Sequence, residues 1–210
     1  MLACAVPACQ FSDTDVSETQ VERVLITDED GKVWDVTQAV VRFGFDPDGF
    51  KFGLGAFTVT PIMTPPVAAP GDSGYPSDAE NFDVLGVSLG GHRRAYRLDD
   101  LLDVEVVDDT LAGAPVAIVH RPIIGAPSAH TRVLGGSPLT MSASGWLYAG
   151  QSVLFDYETE SLWYRLDGET RLTCIAGAHY EATLADVPSG RQPWDSWRAA
   201  HPSTSYMLRP

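Results

Sequence analysis

Residues 82–97 read FDVLGVSLGGHRRAYR. Val84–Leu89 and His92–Arg97 flank Gly90-Gly91, and a two-glycine loop between such runs predicts a hairpin, because both turn residues take positive φ without a Cβ penalty. The same grammar repeats outward. Val104–Thr110 and Val116–His120 flank Ala112-Gly113-Ala114, and Thr131–Leu134 and Leu139–Ala143 flank Gly135-Gly136. Gln151–Tyr157 and Leu162–Leu166 flank an acidic turn, and Asp167-Gly168 reverses the chain again. Connections this short hold no crossover helix, so neighbouring strands must run antiparallel. The expectation is a mainly β (β-rich α+β) fold: an antiparallel sandwich or partly closed barrel with a few short helices. One helix is expected at TQAVVRF, capped by Thr37 and ended by Gly44. Another is expected between Pro193 and Pro202, with Pro193 in its first turn.

Upstream the grammar changes. Residues 1–20 read as a polar leader. Val21–Thr27 and Lys32–Val36 surround Asp28-Glu29-Asp30-Gly31 and suggest a further hairpin. Phe45, Phe50, Phe52 and Phe57 lie among glycines and read as anchors pinning an irregular segment to the main body. Pro61, Pro65, Pro66, Pro70 and Pro76 fix φ and remove donors, so this stretch is expected to be an extended linker rather than strand or helix. The expected organisation is a leader over 1–20, an N-terminal extension with its linker over 21–77, and a β domain over 78–210.

The 210 residues carry 28 acidic against 14 basic side chains, a net charge of −14. Nucleic acid is thereby a poor partner, because a polyanion is repelled and no basic stripe releases counterions. The balance describes a hydrated acidic surface, and with lysine confined to Lys32 and Lys51 it also suits work in salt. No apolar run reaches the roughly 18 residues of a membrane span. Cys174 lies in the apolar run RLTCIAG and reads as a small buried hydrophobe. Leu2-Ala3-Cys4 loosely resembles a lipobox, the tail of a secretion signal. The expected location is extracytoplasmic or membrane-anchored as a lipoprotein, with attachment only if Cys4 is lipidated; a soluble cytoplasmic location stays open.

Few motifs carry chemistry. Gly71-Asp72-Ser73-Gly74 spells a serine-protease nucleophile motif, but the serine precedes His201 in reversed order and lies in the proline-rich stretch, so a protease is excluded. His92, His120, His130, His179 and His201 form no HxH or HxxxH pair. His120 stands out because it ends the strand PVAIVH where a loop begins, a common site position. Asp156, Glu158 and Glu160 are spaced by two, and on a continuous strand they would share a face fit for Ca²⁺ or Mg²⁺. The competing reading, a turn over Glu158–Ser161 that splays the charges into water, is the favoured one. Tyr148, beside Gly145, Ala149 and Gly150, either forms one wall of a pocket or packs tightly. The candidate pocket is therefore His120, Arg121, Tyr148, Asp156 and Glu160. No cofactor is expected beyond that divalent cation.

Several segments in order resemble DUF3179, a bacterial and archaeal family whose biochemical role is not established. They are residues 82–96, Glu105–Asp109 with Ala114–Ala117, and Ser144–Trp163 (SGWLYAGQSVLFDYETESLW). Trp194, Trp197, His201 and Pro202 fit its W-x-x-W-x-x-x-H-P ending, and residues 31–55 are similar to the N-terminal part of some members. Such proteins carry a cysteine pair and a Trp-His-Glu. By alignment the cysteines fall on Arg121 and Ile124, and the Trp-His on Asp103 and Val104, leaving Glu105. Thiolates bind soft metals or exchange disulfides, and arginine and isoleucine do neither. The resemblance thus implies the family fold with a degenerate site. The expected function is a non-catalytic binding or interaction protein for an unknown small molecule or protein, with Arg121 favouring a carboxylate or other anion. The alternative is a hydrolytic or acid–base enzyme using the His/Arg/Tyr/carboxylate pocket.

Overall fold

The computed structural model describes residues 22–120 and 126–210. The leader, with Cys4 and Cys9, lies outside them, as do Arg121 and Ile124. The N-terminal segment contains β1 (Leu25–Thr27), β2 (Val33–Asp35), α1 (Thr37–Phe43) and β3 (Phe50–Phe52). The proline-rich stretch contributes β4 (Ile62–Met63) and β5 (Val67–Ala68). Then come the hairpins β6 (Asp83–Leu89) with β7 (His92–Arg97), and β8 (Val106–Leu111) with β9 (Ala114–Val119). They are followed by β10 (Ser128–Thr131) and the small hairpin β11 (Val133–Leu134) with β12 (Ser137–Pro138). A meander runs through β13 (Met141–Tyr148), β14 (Gln151–Asp156), β15 (Leu162–Tyr164), β16 (Leu172–Ala176) and β17 (Thr183–Leu184). The chain closes with β18 (Ser189–Pro193), α2 (Trp194–Ala200) and β19 (Ser205–Met207).

Three sheets stack. The outer two have strand orders β18-β6-β7-β19-β5 and β17-β16-β15-β14-β13-β3, and between them lies β10-β9-β8-β4. Period-two alternation explains the stack. On β8 and β9, Val107, Leu111, Val116 and Ile118 face the five-stranded sheet and meet Leu85, Val87 and Tyr96. Val106 and Ala117 face the other way, onto Leu154, Trp163 and Cys174 of the six-stranded sheet. The middle strands are thus covered on both faces, with Asp108 and Asp109 the charged exceptions to an apolar lining. The far side of the six-stranded sheet, with Val153, Phe155 and Ile175, is roofed by Trp34, Phe45 and Phe50 of the N-terminal segment. The far side of the five-stranded sheet carries Trp194 and Trp197 of α2. Each large side chain so buried supplies about 1.5–3 kcal/mol. Gly86 leaves room for this packing, since a Cβ there would overlap the Trp197 ring.

The mainly antiparallel β-rich fold agrees with the hairpin grammar, and the described residues form no closed barrel. Along one edge the middle and five-stranded sheets are stitched by Val187 N–H to the Ala129 carbonyl (2.8 Å) and Ser88 N–H to the Pro188 carbonyl (2.9 Å). Two pairs run parallel, β4 with β8 and β7 with β19, each between segments far apart in the chain. The proline-rich stretch is not simply a linker. Its short strands sit at sheet edges, where prolines on either side cost no ladder bond.

Two capping expectations also change. Thr37 is the first helical residue rather than the cap. Its hydroxyl donates to Asp35 (2.6 Å) and accepts the Val24 N–H (2.8 Å), while Val36 occupies the cap without a side-chain bond. Gly44 does end α1, in the left-handed conformation at φ 72°. Pro193 immediately precedes α2 instead of lying in its first turn.

Candidate functional site

His120 follows the last residue of β9, and its N–H donates to the Glu105 carbonyl at 2.8 Å across the open end of the β8–β9 hairpin. Glu105 has φ 56°, a left-handed turn that swings the chain into β8. The short 3₁₀ turn Leu98–Leu101 and the edge strand β18 complete the walls. The result is a cleft of about 430 Å³ lined by Phe82, Asp83, Leu98, Asp99, His120 and Arg191, among others.

The chemistry of this cleft is polar. Arg191 donates through Nε and Nη2 to Asp83 (2.9 and 2.6 Å). Arg97 holds Asp99 through Nη2 at 3.2 Å. His120 is only 6% exposed, and its Nδ1 has no hydrogen-bond partner among the described residues. Burial, and secondarily the charge of Arg191, lower its pKa, so the imidazole is neutral at neutral pH. A neutral imidazole both donates and accepts. A buried polar atom left without a partner costs about 1–3 kcal/mol and calls for an explanation such as a ligand or water.

Tyr148 lies elsewhere. It ends β13 at the turn through Ala149 and Gly150, both at positive φ. Its ring packs against Phe45 with centroids 4.3 Å apart, and its hydroxyl accepts the Asp46 N–H at 2.9 Å. It does line a pocket, a second cleft of about 390 Å³ between the N-terminal segment and the six-stranded sheet. Gly145, at φ +82°, serves the same junction, because a Cβ there would strike the backbone of Leu54 and Gly55.

Asp156 and Glu160 belong to a third place. β14 ends at Asp156, so the spacing of two no longer puts these carboxylates on one face. Asp156 is fully buried and accepts from Thr159 N–H (2.7 Å), Thr159 Oγ1 (2.8 Å) and Trp163 Nε1 (2.8 Å). It ties the turn to the core instead of pointing into water. Glu158 accepts the Thr140 N–H at 2.9–3.0 Å, and Glu160 pairs with Lys32 at 2.6 Å. Among the described residues no group of His, Cys, Asp and Glu is placed to hold a metal ion. His120, Tyr148 and the Asp156–Glu160 turn are therefore not brought together, and Arg121 falls outside the described residues.

The buried charges were not anticipated. Asp108 and Asp109 both lie within β8 and are almost wholly enclosed. Asp109 receives Arg94, the Tyr96 hydroxyl (2.7 Å) and the Thr110 N–H (2.6 Å). Asp108 receives the Met141 N–H (2.8 Å) and faces Arg132 Nε at 3.5 Å. Arg132 spends its hydrogen bonds on the carbonyls of Val116, Leu139 and Asp109. The visible signal was two charges inside an otherwise core-like strand; the partners come from other layers. His130 is buried as well, held through Nε2 by Ser128 Oγ at 2.9 Å. Cys174 is buried, and desolvation pushes its thiol up to about 12, so it is inert as a nucleophile.

The family described as "Protein of unknown function (DUF3179)" matches residues 61–210. No curated protein and no solved structure matches the chain. The matched stretch contains all strands from β4 onward, while β1–β3 and α1 precede it.

Proposed function

The chain belongs to the DUF3179 family, and from that premise we propose that it is a non-catalytic, extracytoplasmic binding protein whose ligand site is the His120 cleft. The observation that carries this reading is the nine-tenths buried His120, whose Nδ1 is unpartnered among the described residues beside a cleft of about 430 Å³. Glu105, which the resemblance implies is the one residue left of the family's Trp-His-Glu, is bonded to His120 through the backbone. The positions where the resemblance puts the family's thiols hold Arg121 and Ile124, which do no thiolate chemistry. A hydrolytic or acid–base role would need His120, Tyr148 and a carboxylate within hydrogen-bond reach, and these lie in separate places.

The cleft offers donors from His120 and Arg191 and acceptors from Asp83 and Asp99, a set suited to a small polar ligand. The extracytoplasmic part of the reading rests on the lipobox-like Leu2-Ala3-Cys4, outside the described residues. The test is a ¹⁵N–¹H NMR titration of the full chain with glycine, sodium acetate and methylammonium chloride in turn. Saturable shifts centred on His120, Asp99 and Arg191, lost in His120→Leu but kept in Tyr148→Phe, are expected. Absence of saturable shifts with all three probes would refute the cleft as the site.

A further inference from the structure

The second cleft carries a ligand signature of its own, independent of the His120 reading. Phe43 and Phe45 come from the N-terminal segment, and Tyr148, Tyr164, Leu166 and Asp167 from the region matched to the family. The site is therefore composite and does not exist without residues that precede residue 61. Its rings are held in a fixed array: Phe45 meets Tyr164 edge-on at 5.2 Å, and Tyr148 meets Tyr164 edge-on at 5.9 Å. Hydrogen bonds lock the array, with the Tyr164 hydroxyl donating to the Tyr148 carbonyl at 3.1 Å and the Tyr148 hydroxyl accepting the Asp46 N–H at 2.9 Å. Tyr148 keeps its own hydroxyl proton to donate.

At the rim stands Asp167, exposed and near enough to the Tyr164 hydroxyl to raise its pKa, after burial the largest cause, with the Arg165 charge acting more weakly in the opposite sense. Among the described residues no cation pairs with Asp167, although Arg165 is only two positions away. Aromatic walls with one carboxylate outside any ion pair among the described residues match a particular ligand chemistry. Ring faces attract a cation through their quadrupole, and the carboxylate supplies the counter-charge. A bare ammonium is strongly hydrated and resists such a site, whereas an alkylated ammonium brings apolar surface for the rings and loses little hydration.

We propose that this cleft is a binding site for a small quaternary ammonium compound, with its methyl groups against Tyr148, Phe43 and Leu166 and its charge facing Asp167. The net charge of −14 favours the approach of such a cation. Because Phe45 and Tyr148 already touch, the ligand lies over the outer faces of the rings, not between them.

The experiment is a titration of the full chain with choline chloride, and separately with 3,3-dimethylbutan-1-ol, its neutral isostere, followed by aromatic ¹H–¹³C NMR. Choline is expected to give saturable shifts at Tyr148 and Tyr164, with the neutral isostere weaker by about tenfold. Asp167→Asn, a change at an exposed side chain, is expected to weaken choline binding severalfold while leaving the isostere unaffected. Equal affinity for the two compounds, unchanged choline affinity in Asp167→Asn, or no saturable shift into the tens of millimolar would each overturn the proposal. Shifts confined to His120 and Arg191 would also overturn it, while supporting the other cleft. Tyr148→Phe keeps the ring and loses the hydroxyl, so retained choline binding in that variant is expected if the π face is what the cation meets.

Discussion

Asp108 and Asp109 are neighbours on β8, yet the strand's alternation sends them into different layers of the stack. Asp109 turns toward the five-stranded sheet, where a guanidinium, a phenol and a backbone N–H converge on it. Asp108 turns toward the six-stranded sheet, where it gains one N–H and stands 3.5 Å from a guanidinium committed to three carbonyls. Burial raises the Asp108 pKa to about 7, only partly opposed by Arg132. Two carboxylates at similar depth thus differ in how many donors are aimed at them, and donors aimed at a buried carboxylate are what offset its desolvation.

The sharpest way to break this comparison is to remove the cation from the well-served carboxylate. Arg94→Ala leaves Asp109 buried without its counter-charge, and the expected loss is about 3–5 kcal/mol of unfolding free energy in urea denaturation. A loss below about 1 kcal/mol would mean that Tyr96 and Thr110 suffice. The poorly served carboxylate is tested through pH. Its folded pKa is raised from 3.8 to about 7, so its contribution is complete below about 3.8 and is lost as pH rises through 7. His130 behaves oppositely. Burial, and then Arg165, lower its pKa from 6.5 to about 4, so its contribution is complete above 6.5 and is lost as pH falls through 4.

Between pH 4 and 6.5 these two slopes oppose each other. Asp108→Asn should therefore uncover a stability that falls on acidification across that window, by up to about 1.4 kcal/mol per pH unit. His130→Gln should uncover the reverse, a stability that rises on acidification. Denaturation midpoints across this range check both, and parallel curves for wild type and the two variants would contradict the assignment. The smallest expected effect lies at the surface. Arg171→Ala breaks an exposed pair with Glu169 (2.8 Å) and should change stability by about 0–1 kcal/mol. A larger change there would blur the contrast between buried and exposed charge.

The hairpins were legible because their determinants are local. Gly90-Gly91 placed β6 and β7 almost to the residue, with Asp83 added at one end. The order of the layers was not read from the sequence, because the partners on the two faces of β8 and β9 come from distant parts of the chain. β4 and β5 were hidden because proline content describes a residue's φ and not the edge that it happens to meet. His120 was singled out by its strand-end position and Tyr148 by its glycine-rich surroundings, and each lines a cleft of its own. What lines up with them was not legible. Phe45 approaches Tyr148 from about a hundred residues away, and Arg191 reaches the His120 cleft from a strand after the meander. The carboxylate pattern failed as a pattern because β14 stops at Asp156, so a rule for continuous strands no longer applied.

β3 is the outermost strand of the six-stranded sheet, pairing Phe52 with Trp146 and Phe50 with Tyr148. It precedes the region that defines the family. A polypeptide trimmed to residues 61–210 would bare the flank of β13 together with the rings once sheltered beneath Trp34 and Phe45. Such a flank recruits strands from other molecules, so the trimmed polypeptide would be prone to self-association and precipitation. The forward portion of the chain thus closes the edge of β13 and covers its aromatic face, so the two are best expressed as one polypeptide.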